Sequence, residues 1–518
     1  MFLGGDILIN IRKEKIILCL CLILFLCFFY YLYIFKSNSY NNNYNFGRIY
    51  NDKLVLNVSV FGKRCAYDRV SNRYYISYNK TKFSKLKIKL YSLYDVKFFY
   101  DEVDSNHFLI HAYNNDYYQD IDLYFTNLPI IDIHDLNINH TDDNSFPFED
   151  LTNSLEYDNT VDDESDFGSK KYFASFIDNT SIRNLKVDLK LRGASSIRYP
   201  KKSYKISFEK KISFFNLPSD DKYVLDALFI DKSSVRNILS TDMWNLINDN
   251  QLVNNDLQGS FIEVFIDNEY QGIYVMKDKV DRSVTRISNS GVILKSVDHM
   301  SQLYIDKLIN NDYDFDGYNF LSFEVKNYND ESFKSLVKGM REYYSNPSFK
   351  SISENYDIDN FINYFIFVIL IDGHDNVNYN YYLSLYDEKS KIMLTPWDMD
   401  LTWGLNYWNL FWNGEYFDSF CNLKSSYDSS LVDEIVATMD DETLLLMKKR
   451  YFELRNDVIT MDVINNYLNN YESVLLGSEA NERDSQKWYK YNLSSEIDNI
   501  RKWASMRIEF LDKYFADI

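Results

Sequence analysis

Asp375, Asn380, Asp398 and Asp400 fall within one stretch, "DGHDNVNYNYYLSLYDEKSKIMLTPWDMDLTWG", which runs from Asp372 to Gly404. Clustered carboxylates with few basic neighbours repel one another, and taking them out of water unpaired is costly. A hard divalent cation such as Mg²⁺ relieves both costs and prefers oxygen ligands of this kind. The competing reading is a solvated acidic turn. Pro396, Trp397 and Trp403 argue against full solvation, because large aromatics belong in a core.

The order of these residues adds a second argument. An Asp, an Asn five positions on, a hairpin and a further Asp is the order of parts in protein-kinase phosphoryl transfer. In that chemistry the first Asp receives the proton of the acceptor hydroxyl, and the Asn and later Asp hold Mg²⁺ on the nucleotide. Asp375, Asn380 and Asp398 match the order, although neither "HRD" nor "DFG" is present as a word.

A basic island stands apart from these acids. "LRGASSIRYPKKSYKISF" (Leu191–Phe208) carries Arg192, Arg198, Lys201, Lys202 and Lys205. A solvated basic face is the bland reading. If the strand through Tyr204, Ile206 and Phe208 starts early enough, Lys202 shares their apolar side and needs an anionic partner. A triphosphate would be one. Gly193 permits close backbone approach. No Walker-A motif, GxGxxG, HExxH or GxSxG occurs, which removes several other chemistries.

The flanking elements must bring these groups together. "NLKVDLKLRG" and "SYKISF" alternate as strands. "SSVRNILSTDMWNLIND" reads as a helix with serine at its cap. "SFIEVFIDNEYQGIYVMKD" reads as a hairpin turning around Asp267–Gly272. "DNFINYFIFVILIDG" predicts a buried helix with a glycine stop at Gly373, and the acidic stretch itself a hairpin turning at Asp387–Lys391. "SSEIDNIRKWASMRIEFLDKYF" predicts a C-terminal amphipathic helix. Strands and helices in this order imply an α+β domain.

Composition bounds the rest. The 518 residues carry a net charge of −20, which excludes nonspecific nucleic-acid binding. Five cysteines, three of them in one apolar run, make no disulfide framework; a single Cys65–Cys421 bridge is possible. Residues 16–35, "IILCLCLILFLCFFYYLYIF", carry no charge and are long enough to span a bilayer. Arg12, Lys13 and Lys15 before them imply a single-pass signal anchor with residues 1–15 cytoplasmic and the C-terminal domain extracytoplasmic. Cleavage as a signal peptide, giving a secreted protein, is the alternative. A polar tether (36–52), a small β-sandwich-like module (53–126) and a main domain (127–518) with an acidic loop at about 140–170 complete the expected organisation.

Several ordered pieces together resemble the CotH kinase family, the spore coat protein H-like atypical protein kinases. They are "RGASSIRYPKKSYKISF", "DKSSVRNILSTDMWN", "VFIDNEYQGIYVMKDKVD" and "GHDNVNYNYYLSLYD…TPWDMDLTWG", with "TNLPIIDI" as the domain entry. Ala194 stands where that family often has Asn, and Asp267–Asn268 replaces its usual Asn-Gly. The resemblance implies an atypical protein-kinase-like domain that binds ATP with Mg²⁺ (or Mn²⁺) and phosphorylates Ser-rich proteins; a monomer is expected. It implies that Asp375 is the catalytic Asp, that Lys202 holds the nucleotide phosphates, and that Asp398 binds metal with Asn380. Arg192 and Asp278 would be further ATP-binding residues and Asp400 a further metal ligand. Two other readings of the same residues stay open: a surface adhesin or assembly factor that keeps the fold without turnover, and a Ca²⁺-dependent structural or carbohydrate-binding protein.

Overall fold

A computed structural model describes residues 47–78, 86–135, 169–193, 195–248, 257–281, 285, 287–406, 421–488 and 491–518. The apolar run 16–35 and almost all of the expected acidic loop lie outside them. The membrane anchor gains no support: among the described residues no helix is long and apolar enough to cross a membrane.

The chain divides into two compact units, one ending at Phe125 and the other running from Thr126 to Ile518. The first unit is all β. Its strands are Ile49–Tyr50 (β1), Asn57–Val60 (β2), Lys63–Arg64 (β3), Ala66–Asp68 (β4), Arg73–Ser77 (β5), Ile88–Tyr91 (β6), Lys97–Glu102 (β7), His107–Tyr113 (β8) and Tyr117–Thr126 (β9). They form a sheet in the order β4-β5-β9-β8-β7, with β1 also on β9, and a three-stranded sheet β3-β2-β6. Ile110, Ala112, Ile121 and Leu123 alternate inward along β8 and β9 and are fully buried. The other face carries His111 between Asp120 (2.7 Å) and Asp101 (3.3 Å), an ionic tie across β7, β8 and β9.

The second unit mixes strands and helices, in agreement with the α+β expectation. Seven strands close into a barrel: Ile130–Asp135 (β10), Lys170–Ile177 (β11), Ile182–Arg192 (β12), Ser203–Ile212 (β13), Asp220–Asp226 (β14), Gly259–Ile266 (β15) and Glu269–Asp278 (β16). β10 pairs in parallel with β15, which closes the ring and leaves no open edge. Period-two alternation sends Val187, Leu189, Leu191, Tyr204, Ile206, Tyr274 and Met276 into the barrel core. The β15–β16 turn is two residues long, Asp267 and Asn268, both with φ near +50 to +60°. This is the geometry a two-residue hairpin needs, and Asp and Asn tolerate it. Gly272 lies beyond the turn, at a register shift with φ +105°.

A second sheet has the order β18-β19-β17-β20-β21, from Val292–Ser296 (β17), Asn319–Phe320 (β18), Phe323–Asn327 (β19), Tyr381–Leu385 (β20) and Met393–Pro396 (β21). The helices of this unit are Arg236–Ile247 (α1), Gln302–Asn310 (α2), Asp330–Ser345 (α3), Phe349–Asn355 (α4), Ile358–Ile371 (α5), Ser430–Val436 (α6), Asp441–Asp457 (α7), Met461–Gly477 (α8), Ala480–Lys487 (α9) and Leu493–Asp517 (α10); α3 and α5 pack on the second sheet and α9 on β16 of the barrel. α5 is buried along nearly its whole length, as its unbroken apolar sequence requires.

Two caps differ from expectation. α1 is not capped by a serine: its first N–H, that of Arg236, donates to the Asp231 carboxylate at 2.8 Å. α5 ends one residue before the glycine, at Asp372 in the left-handed conformation (φ 57°). Cys65 and Cys421 are both buried free thiols, so the possible bridge is not formed.

Candidate active site

The acidic stretch folds as a loop, a hairpin and a loop. Tyr381 pairs with Pro396 and Tyr382 with Thr395, so the residues just outside the strands, Asn380 and Trp397, are neighbours. The Trp397 N–H donates to the Asn380 carbonyl at 2.9 Å. Asn376 secures this closure from beneath. Its buried amide donates to the carbonyls of both Asn380 and Trp397, each at 2.9 Å, and its own carbonyl accepts from the Tyr364 hydroxyl of α5 at 2.6 Å. Asn380 (φ 51°) and Asp398 (φ 57°) are both left-handed, a conformation uncommon outside glycine and concentrated at functional sites.

Two other elements fix the loops. Arg507 of α10, fully buried, donates to the Ile369 carbonyl at 2.8 and 3.1 Å, which satisfies the end of α5 just before the Asp375 loop. From α1, Arg236 pairs with Asp231 and donates to the Thr402 carbonyl (3.1 Å), while Ser240 accepts from the Trp403 indole (2.8 Å). The loop carrying Asp398 and Asp400 is therefore held by buried polar contacts on its far side.

These loops form one wall of a cavity of about 570 Å³, lined by Asp375, Asn380, Asp398 and Asp400. The mouth of the barrel supplies the facing wall, through Arg192, Gly193, Ser196 and Lys201. Asp226, at the end of β14, joins the two walls. Its carboxylate accepts from Lys277 (2.6 Å) and from the Asn237 amide (3.0 Å). Arg192 and Lys277 both lie over the Trp397 ring, at 5.6 and 4.8 Å, so the residue next to Asp398 is also a cation platform.

The electrostatics of the acidic wall are uneven. Lost solvation raises Asp375, Asp398 raises it further, and His299 and His374 partly offset the rise. Asp400 is pushed well above the ordinary carboxylate range by burial and then by the charges of Asp398 and Asp226. Asp226 goes the other way: burial would raise it, but the Lys277 ammonium, Arg192 and the Leu228 N–H together lower it. The site therefore favours an added positive charge beside Asp398 and Asp400. Among the described residues no three acid, histidine or cysteine side chains come close enough to hold a metal alone. Mg²⁺ does not need such a cage, because it retains water and is usually held by one or two carboxylates together with phosphate oxygens. The donor set fits that mode.

The family profile described as "CotH kinase protein" matches residues 189–511. The chain belongs to the CotH kinase protein family. A curated relative, the inner spore coat protein H of Bacillus subtilis (strain 168), is 25% identical over 233 residues, which are 43% of this chain and 60% of that protein. The match thus covers less than two thirds of that relative's length. The matched family region begins within β12 and ends within α10, so it takes in both walls of the cavity and leaves out the all-β first unit.

Of the residues singled out from sequence, the structure brings Asp375, Asn380, Asp398, Asp400 and Arg192 to one cavity. Two stand elsewhere. Lys202 does not line it; its amine donates to the Ile197 carbonyl at 2.7 Å. The parity argument fails because β13 begins at Ser203, so alternation does not extend back to Lys202. The neighbouring Lys201 lines the cavity instead, with its amine on Asp484 (2.7 Å) and on the Ile273 carbonyl (2.6 Å). Asp278 closes β16 in step with Tyr274 and Met276, away from this cavity. Neither of its carboxylate oxygens has a hydrogen-bond partner among the described residues, and burial pushes its pKa up to about 7.

Asn376, Asp226, Lys277 and Asp484 were not found from sequence. Lys277 left a trace: in "YVMKD" it breaks a buried strand, and a lysine there needs a partner. Asp484 left none, since it lies 283 residues from Lys201.

Proposed function

We propose that the domain is an ATP- and Mg²⁺-dependent protein kinase acting on Ser or Thr hydroxyls, with proteins of a spore coat or cell surface as its substrates. The observation that carries this reading is the cavity itself. One wall gathers Asp375, Asp398 and Asp400 with no hydrogen bond or ion pair to neutralise them among the described residues, and the facing wall carries Arg192 and Lys201. Chain placement is proposed from the coat role in the relative's name.

In this reading Asp398, with Asn380 and Asp400, holds Mg²⁺, which would neutralise charge on the phosphates. Asp375 takes the proton of the incoming hydroxyl; its raised pKa brings it closer to that of a working general base. Arg192 and Lys201 face the anionic end of the nucleotide. Gly193 (φ +112°) lets the backbone turn close to it, since a Cβ there would sit 1.9 Å from Ser196 Oγ. The protein's main contribution is positioning and electrostatics, as expected for phosphoryl transfer.

The test is incorporation of labelled phosphate from ATP into a Ser-rich acceptor in the presence of Mg²⁺ or Mn²⁺. The reading requires transfer by the wild type and its loss in Asp375→Ala. Equal incorporation by both proteins would remove it.

A further inference from the structure

The outer face of the barrel carries a charge pattern that the cavity does not use. Leu191 and Leu225 point into the barrel, so their neighbours Arg192 and Asp226 point outward, where both line the cavity. Ser203 of β13, opposite Arg192, lines it too. Two residues further along the same face, about 7 Å away, Lys190 stands directly opposite Lys205. Two residues beyond that, Ser207 lies opposite both Asp188 and Lys222. Lys279 follows the last residue of β16, the strand beside β14. Burial first, and then the charges of Lys205, Lys326 of β19 and Lys222, bring the Lys279 ammonium down to about 8, with Asp281 opposing. Lys222 lies 3.6 Å from Asp221 and Lys326 pairs with Glu324. The half-buried Lys279 amine makes no hydrogen bond or ion pair among the described residues.

Like charges directly opposite each other on paired strands are destabilising. A chain of net charge −20 nevertheless gathers lysines here, from three barrel strands, the end of β16 and β19. An anion laid over them relieves the repulsion. We propose that this basic face docks an acceptor polypeptide that already carries phosphoserines. A phosphoserine brings nearly two negative charges and three acceptor oxygens, and lysines hold such a group as point charges. Position supports this occupant as well as charge. An extended chain advances about 3.3 Å per residue, so one whose hydroxyl lies in the cavity reaches the lysines within a few residues. This deepens the kinase reading, and the identity of the partner rests on it: an acceptor phosphorylated at one serine is held for transfer to another.

The experiment measures binding of two fluorescent Ser-rich peptides of one sequence, with and without two phosphoserines, to the full chain in the absence of ATP. Transfer to each peptide is then followed with Mg²⁺-ATP. The proteins are wild type, Lys279→Gln, the triple variant Lys190→Gln/Lys222→Gln/Lys279→Gln, and Lys513→Gln, which removes an exposed lysine of α10. Thermal melts should show the triple variant folded and no less stable than wild type, because repulsion is removed. Wild type and Lys513→Gln should bind the phosphorylated peptide about tenfold more tightly than the plain one, a difference of about 1.4 kcal/mol. Lys279→Gln should lose part of this preference and the triple variant all of it, with KM for the phosphorylated peptide raised and kcat unchanged. Equal binding of the two peptides by wild type, or a preference that survives in the triple variant, overturns the docking face and leaves the kinase reading standing. An oligonucleotide of equal charge that competes as well as the phosphorylated peptide overturns the polypeptide partner. A wild type that shows the preference but transfers no phosphate to either peptide overturns the kinase reading, and with it the partner's role as acceptor.

Discussion

Glu263 and Asp400 belong to the same domain and have opposite surroundings. Glu263 is fully buried in β15 and receives three hydrogen bonds from the Arg483 guanidinium at 2.9 to 3.0 Å. Asp484, the next residue on α9, receives Lys201 and the Ile273 N–H; a Cβ on Gly272 would sit 2.0 Å from its carboxylate. Asp231 is closed off by Arg236 and Ser233 in the same way. Each of these acids has a cation built into the fold. Asp375, Asp398 and Asp400 line a cavity together and have no such ion pair among the described residues. In the proposed reading, the difference separates acids that hold the architecture from acids that would take up a metal ion.

The comparison can be broken from either side. Removing an acid of the cavity should cost function and spare the fold. Asp375→Ala and Asp398→Ala are expected to lower phosphoryl transfer by about 10²–10⁴-fold while the melting temperature stays the same or rises, because repulsion is relieved. A large loss of stability would place them with the architectural acids. Removing a partner from the architectural set should do the reverse. Arg483→Ala leaves Glu263 buried and unpaired, and the expected cost is about 3–5 kcal/mol in denaturant unfolding. Lys201→Ala belongs to both sets, since it strands Asp484 and removes a cation from the cavity wall, so stability and nucleotide affinity should fall together.

Smaller effects sharpen the boundary. Asn376→Ala unties the two ends of the acidic hairpin and leaves the Asn380 and Trp397 carbonyls without their donor, at about 1–3 kcal/mol. Its transfer rate should drop more than its ATP affinity. Lys202→Ala loses one bond to a carbonyl, about 1 kcal/mol, and should leave ATP affinity unchanged within about twofold; a tenfold loss would restore the role implied by the resemblance.

Asp278 gives a pH test. The folded chain keeps its proton up to about pH 7, whereas an unfolded Asp releases it near pH 4. The folded state therefore binds the extra proton in between, and stability falls as pH rises across that window. Asp278→Asn cannot lose the proton, so its melting temperature should fall less between pH 5 and 8 than that of the wild type.

The sequence made the acidic stretch legible because its chemistry is local. Asp375 to Asp400 span one loop, one hairpin and one loop, and hairpin pairing alone brings Asn380 beside Trp397. Four of the seven barrel strands, β12, β13, β15 and β16, were legible from alternation or hairpin pattern, and α5 from its apolar run. The closure of the barrel was not, because β10 meets β15 across more than a hundred residues. Lys202 was chosen over Lys201 for the same kind of reason. Their partners lie at Ile197, five residues away, and at Asp484, 283 residues away, and only the folded chain shows which lysine turns toward the cavity. Asn376 escaped notice because its role is to hydrogen-bond two backbone carbonyls, and side-chain type gives no sign of that.

The central claim is that the cavity acids bind a metal-bound triphosphate. The direct measurement is the thermal shift produced by ATP with Mg²⁺, by ATP with EDTA and by Ca²⁺ alone, in wild type and Asp398→Ala. The account predicts a clear shift only for ATP with Mg²⁺, lost in Asp398→Ala. A shift with Ca²⁺ alone, or the same ATP shift in both proteins, would contradict it.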